Sequence, residues 1–154
     1  MSYAERRKRR DRPANMKGTV IMKEPKNMRF GDYIKYKRQQ DSRELTLKDV
    51  SNALEMSLSM LSDIEQKRRR PFDDEKIVRF CDYLNLGEEE LSMMRDLAAK
   101  EKGEIPADIE DTMMYSEIGD MARHALRLAN EGYGDEEDWK QFIRQLEDKK
   151  RSNQ

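Results

Sequence analysis

Between Leu45 and Pro71 the chain carries two short apolar stripes, each opened by a hydroxyl-bearing residue, with room for little more than a turn between them. Thr46 followed by Asp49 has the spacing of a capping box, in which the threonine hydroxyl accepts from a free amide and the aspartate reaches back to the start of the turn. Behind it Leu47, Val50, Ala53 and Leu54 recur at helical spacing. Glu55-Met56 makes the turn, and Ser57 is a good N-cap for a second helix whose buried direction is set by Leu61 and Ile64. At about 100° per residue the opposite arc of that helix collects Ser59, Ser62, Asp63 and Gln66, with Leu58 on its edge. Arg68, Arg69 and Arg70 follow at the helix exit, and Pro71 stops it. This layout predicts two short capped helices, a tight turn and a basic exit.

The flanking segments supply helices for that pair to pack against. Phe30, Tyr33, Ile34 and Tyr36 mark a helix from about Met28 to Gln40, interrupted by Asp41-Ser42. A further helix from about Asp73 to Leu84 buries Ile77, Cys81 and Leu84, and Asn85-Leu86-Gly87 closes it. Charged residues make up 41% of the chain and apolar ones 36%, with no sustained apolar/polar alternation, so the fold class expected is all-α. At 154 residues the chain holds one domain with an appendage, or two small helical units sharing a core.

Several functional classes are set aside by what the sequence lacks. No apolar run approaches the roughly 20 residues needed to span a bilayer, and the N-terminus lacks a secretory apolar stretch, so the expectation is a cytoplasmic protein with no membrane partner. The single cysteine, Cys81, forms no internal disulfide and reads as core packing, and no Cys or His cluster has metal-ligand spacing. No glycine-rich phosphate loop, nucleophile elbow or credible catalytic dyad is present. The expectation is a protein that is not an enzyme and holds no metal or cofactor.

The net charge of −1 hides a segregation. Through residue 80 there are 21 Lys or Arg against 13 Asp or Glu, and from residue 81 onward 10 against 19. A basic half suits a polyanion, and an acidic half suits protein contacts. The chain accordingly divides into a basic arm over 1–27, with Arg6 to Arg10 and Arg12, a helical domain over 28–87, and an acidic helical region over 88–154.

Leu45-Thr46-Leu47 leading to Val50-Ser51, then Met56-Ser57, Leu61-Ser62, Ile64-Glu65 and Arg70-Pro71, resembles the Cro/C1-type helix-turn-helix family of phage and bacterial repressors, the XRE family. The resemblance covers about residues 28 to 86 and implies a lambda-repressor-like bundle of about five helices. It further implies that the third helix lies in the major groove of double-stranded DNA while the second crosses the backbone. The residues it assigns to DNA are Thr46, Ser57, Leu58, Ser59, Ser62, Asp63, Gln66, Arg68, Arg69 and Arg70. Of these, Gln66 suits adenine, Asp63 the amino group of cytosine and Leu58 a thymine methyl, while the arginines suit phosphates. Ser51 stands where the family prefers Ala, and Glu55 and Lys67 stand where it prefers Gly. An internal ion pair of the family maps onto Arg38 and Glu65, although the segment from Gln39 to Glu44 looks about two residues long for it.

Beyond residue 87 the residues must be read without the family. Leu91, Met94, Leu97 and Ala98 give a helix ending near Gly103, and Ile109 and Met113 a short amphipathic piece after Pro106. Ile118, Met121, Ala122, Ala125, Leu128 and Ala129 form a longer stripe stopped by Gly132. Asp135 caps a last helix carrying Trp139, Phe142, Ile143 and Leu146. Met93, Met94, Met113, Met114 and Met121 are expected to pack the core, with an adaptable contact surface as the alternative, and the lone His124 to lie at the surface. Together these features predict a homodimeric transcriptional regulator, a repressor, with the acidic half as the dimer interface. The alternative is an antitoxin-like or adaptor protein whose C-terminal helices bind a toxin or a peptidase, and a third reading is a binder of structured RNA.

Overall fold

The helix boundaries follow from which side chains take up the free amides of each first turn. The computed structural model describes residues 27–154, so the basic arm lies outside the described residues, save for Asn27. The described residues form eight α-helices and no strand. They are α1 (Phe30–Gln40), α2 (Leu47–Ala53), α3 (Leu58–Glu65), α4 (Asp74–Tyr83), α5 (Glu88–Lys102), α6 (Glu110–Tyr115), α7 (Glu117–Asn130) and α8 (Glu136–Ser152). Thr46, Ser57, Asp73, Ser116 and Asp135 each accept from a first-turn amide. Gly87 and Ile109 give α5 and α6 no such cap, and the start of α1 is met from elsewhere in the chain. Arg29 offers α1 no side-chain cap, and the N–H of Phe30 instead donates to Glu101 of α5 across 2.8 Å. A carboxylate 71 residues away thus caps the first helix and suits its dipole.

The core is built by α1 to α5 together. Phe30, Tyr33 and Ile34 from α1 meet Val50, Leu54, Leu61 and Ile64 from the two short helices and their turn, with Ile77, Phe80 and Cys81 from α4. Met94, Leu97 and Ala98 of α5 belong to the same cluster. The packed unit therefore runs past Gly87, where the sequence reading divides the chain, to Lys102. Phe72, just after the basic exit, stacks edge-on against Phe30 at 4.9 Å between ring centres and reaches Phe80 at 6.3 Å. Neither Phe72 nor Phe80 stands out from sequence, since both sit next to charged residues. Cys81 is buried as expected, its Sγ 3.6 Å from Met94 Sδ, and burial pushes its thiol pKa up to about 11.

Two expectations about burial are corrected. Tyr36 is half-exposed, because the face of α1 that meets α3 and α5 is filled by Phe30, Tyr33 and Ile34. Of the five methionines Met94 is fully buried and Met93 packs against the core, but Met114 and Met121 are exposed. Their helices, α6 and α7, pack on each other rather than into the five-helix core. His124 is exposed, as expected.

Helices α1 and α3 approach so closely that one residue has no room for a side chain. A Cβ placed on Gly31 would lie 2.1 Å from the backbone carbonyl oxygen of Ile64. On an open helix surface Gly→Ala stabilises by about 0.5–1 kcal/mol. Here the sign reverses, because the obstructing atom is backbone and the two helices must separate. Gly31→Ala is expected to lower unfolding free energy by about 2–3 kcal/mol, read as a fall in the urea midpoint at unchanged m-value. A midpoint that rises would refute the close approach.

Candidate nucleic-acid interface

The connection between α2 and α3 is a Schellman turn. Met56 N–H donates to Ser51 O at 3.0 Å and Glu55 N–H to Asn52 O at 3.1 Å, which closes α2 and puts Glu55 in the left-handed region at φ 54°. The end of α3 repeats the device, with Arg68 N–H on Asp63 O at 2.8 Å, Lys67 N–H on Ile64 O at 3.0 Å, and Lys67 at φ 62°. These are the two positions at which the resemblance leads one to expect glycine. The chain adopts the left-handed turn at both with a side chain in place, and each side chain finds an ion pair, Glu55 with Arg79 at 2.9 Å and Lys67 with Asp32 at 2.7 Å. At the third departure, Ser51 is buried and its hydroxyl donates to Lys48 O within the helix at 3.0 Å.

Behind α3 stands the most deeply buried ion pair of the described residues. Arg38 Nε donates to Glu65 Oε1 at 2.8 Å and its Nη2 to Oε2 at 3.0 Å, while Nη1 reaches the carbonyl of Leu45 at 3.0 Å. Glu65 is 4% exposed. The hydrogen bond to Glu65 raises the Arg38 pKa further above its ordinary value. The length of the segment from Gln39 to Glu44 does not prevent this pairing, because the surplus is folded into a local loop. Asp41 accepts from the backbone N–H of Arg43 at 3.0 Å and from its Nε at 2.8 Å, and Glu44 turns back at φ 54° with its N–H on Asp41 O. The Arg43 side chain and amide hold the Asp41 carboxyl down at about 2. Arg43 is itself fixed on the far side, stacked over Tyr83 at 4.8 Å and donating to the Tyr83 carbonyl at 2.7 Å.

Supported in this way, α3 turns an uncovered arc outward. Ser57, Leu58, Ser59 and Gln66 are exposed, and Ser62 and Asp63 are half-buried. The Ser57 hydroxyl accepts from Met60 N–H at 3.2 Å and lies 3.3 Å from that of Ser59, so the two serines sit together at the start of the helix. Thr46 is exposed at the start of α2, its hydroxyl engaged with Asp49, whose pKa that bond lowers. Asp63 is taken up by Arg68, with Nη2 at 3.0 Å and Nε at 3.1 Å. Arg70 bends the other way and donates to the carbonyl of Lys102 at 3.2 Å. Arg69 remains exposed between them, with no ion pair among the described residues. Lys48, exposed on α2 two residues from Thr46, is a further cation of this face that the sequence reading did not single out. Its place on the outer arc of α2 was the available signal.

No cluster among the described residues could hold a metal ion, and no described helix is long and apolar enough to cross a membrane. Comparison of the chain with family models, with curated proteins and with solved structures finds no match.

Two stability changes of opposite sign follow from this geometry. Arg38→Ala leaves a buried carboxylate without its partner and is expected to cost about 3–5 kcal/mol, whereas the paired change Arg38→Met with Glu65→Leu costs much less because no lone charge is left behind. Equal losses from both in denaturant unfolding would show that packing, not charge pairing, holds α1 to α3. Glu55→Gly relieves the left-handed strain and surrenders an exposed ion pair of small worth, so stability should rise by about 0.5–1 kcal/mol. A lowered melting temperature would contradict it.

Proposed function

We propose that the chain is a sequence-specific DNA-binding transcriptional regulator of lambda-repressor-like helix-turn-helix type, with α3 as the reading helix and α2 as the helix that crosses the backbone. The observation that carries this reading is the fixed presentation of the outer arc of α3 by the Arg38–Glu65 pair and the two Schellman turns. A helix that must enter a groove needs a rigid base and a face free of packing, and α3 has both.

The assignment of roles changes from the sequence reading at three residues, since Arg70, turned to the Lys102 carbonyl, leaves the phosphate contacts, Lys48 joins them, and Asp63 takes another part. Asp63 serves to position Arg68 rather than to accept from cytosine. Ser57, Ser59 and Ser62 donate to or accept from base edges or phosphates, Gln66 reads adenine, and Leu58 contacts a thymine methyl. Lys48, Arg68 and Arg69 meet phosphates. A second reading, in which a foreign protein such as a toxin or peptidase docks on the C-terminal helices, is favoured by the uncovered apolar faces of α7 and α8. It is compatible with DNA binding and shares its surface with the pairing argued below.

The test is salt-titrated binding to duplex DNA drawn from around the chain's own gene. Ser59→Ala with Ser62→Ala should flatten the preference for specific over random duplex, by about 1–3 kcal/mol for each strong base-edge hydrogen-bond pair removed. Arg68→Ala with Arg69→Ala should weaken binding to all duplexes alike and reduce the salt slope by about two. Absence of wild-type binding to any duplex, or equal binding to matched RNA, would overturn the reading.

A further inference from the structure

Helices α7 and α8 carry apolar stripes that the described residues leave uncovered. On α7, Ile118 and Met121 are 65% and 64% exposed, and Leu128 is exposed beside the half-buried Ala122 and Ala125. Helix α6 occupies a different side of α7. A Cβ on Gly119 would lie 2.2 Å from Thr112 O, and Arg123 donates to the carbonyl of Met113, so these two residues face α6. They stand about a third of a turn from the stripe of Ile118, Ala122 and Ala125. On α8 no residue is buried, and Phe142, Ile143 and Leu146 are each about half exposed. The connection between the two helices passes through Gly132 and Gly134, at φ 99° and 98°, and α8 does not pack closely along α7.

Charge along α8 indicates what covers it. The apolar stripe Trp139, Phe142, Ile143 and Leu146 is bounded at its N-terminal end by Asp135, Glu136 and Asp138 and at its C-terminal end by Lys149 and Lys150, all within about 100° of the same face. Laid antiparallel on an identical helix with Ile143 near the two-fold, the acidic end of each copy meets the basic end of the other, and Lys140 of one lies near Glu147 of the other. A parallel arrangement would instead set acid against acid and base against base. A stable interface takes about 800 Å² from each partner, more than four half-exposed side chains offer, and the α7 stripe supplies the remaining apolar surface.

We propose that α8 pairs antiparallel with α8 of a second copy of this chain, with the two α7 stripes completing the interface of a two-fold homodimer. The pairing needs no nucleic acid and is tested without it, so its failure and the failure of the DNA-binding reading are separate results. Light scattering on the full chain should give twice the chain mass, and Phe142→Glu with Leu146→Glu should give the monomer mass. Lys149→Glu with Lys150→Glu should weaken the dimer at least tenfold, and adding Glu136→Lys with Asp138→Lys should restore it. That rescue distinguishes pairing from an effect on the helix itself, since the added lysines at the N-terminus oppose the helix dipole and would destabilise an isolated α8 further. Under oxidising conditions a mixture of Glu136→Cys and Lys150→Cys chains should form a mixed disulfide, while Glu136→Cys alone should not, Cys81 being too buried to compete. A monomeric wild type at about 100 μM, whether closed on its own α7 or awaiting a foreign protein, would overturn the proposal. So would a disulfide between two Glu136→Cys chains.

Discussion

Everything that α3 can present depends on one buried carboxylate. Glu65 lies on the inner side of the helix among apolar residues, where an unpaired charge would be expensive, so the fold must bring a cation to it. Arg38 arrives as a two-pronged donor, and a guanidinium fork on a carboxylate fixes orientation as well as distance. Its third contact, to the carbonyl of Leu45, ties the entry of α2 to the same group. Gly31 then allows α1 to lie against the backbone of α3, closer than any side chain would permit. With α1, α2 and α3 locked in this way, the rotation of α3 about its own axis is determined, and with it the arc that faces outward.

The local signals in the sequence were sufficient for the helices and their ends. Thr46, Ser57 and Asp135 cap where hydroxyl and carboxylate spacing predicts, and Gly103 ends α5 in the left-handed region at φ 67°. The positive φ at Glu55 was foreshadowed by the resemblance, as a conflict between the residue present and the turn required, while at Lys67 only the family's preference for glycine pointed to it. What was not legible depends on distance along the chain. The cap that Glu101 gives Phe30 and the place of α5 in the core are set by packing between segments about 70 residues apart, which periodicity does not encode. The Arg38–Glu65 pair was implied only by the family resemblance, and its feasibility turned on the side-chain loop at Asp41 and Arg43 that takes up the extra length. At the candidate interface the exposed serines and Gln66 follow from the helical wheel, whereas the capture of Asp63 by Arg68 and the diversion of Arg70 to Lys102 do not.

Those captures bear on how binding energy would be distributed. Of the 21 Lys or Arg through residue 80, nine lie in residues 1–26 against three acids there, so most of the basic excess belongs to the arm. Over residues 27–80 the count is 12 against 10, and Lys37, Arg38, Arg43, Lys67 and Arg79 are already engaged with carboxylates. On the proposed reading the bundle supplies shape and register, with a few cations at the rim of α3, while the long-range electrostatic attraction comes mainly from the arm.

On the proposed reading α3, with serines and a glutamine on its outer arc and no arginine placed to grip guanine, makes few strong base contacts, each worth about 1–3 kcal/mol. Repetition compensates for that scarcity better than any single substitution on the arc, because tethering two identical readers makes the second binding event intramolecular. The antiparallel pairing proposed for α8 supplies the required two-fold axis, and an axis of that kind demands an operator with inverted half-sites. The two glycines between α7 and α8 then gain a mechanical meaning: with φ near 99° at both, they sit in backbone that side chains rarely adopt, and they set the angle between α7 and α8. If DNA is read as proposed, the spacing between half-sites is thereby referred to one short connection, Glu131 to Asp135, rather than to α3 itself.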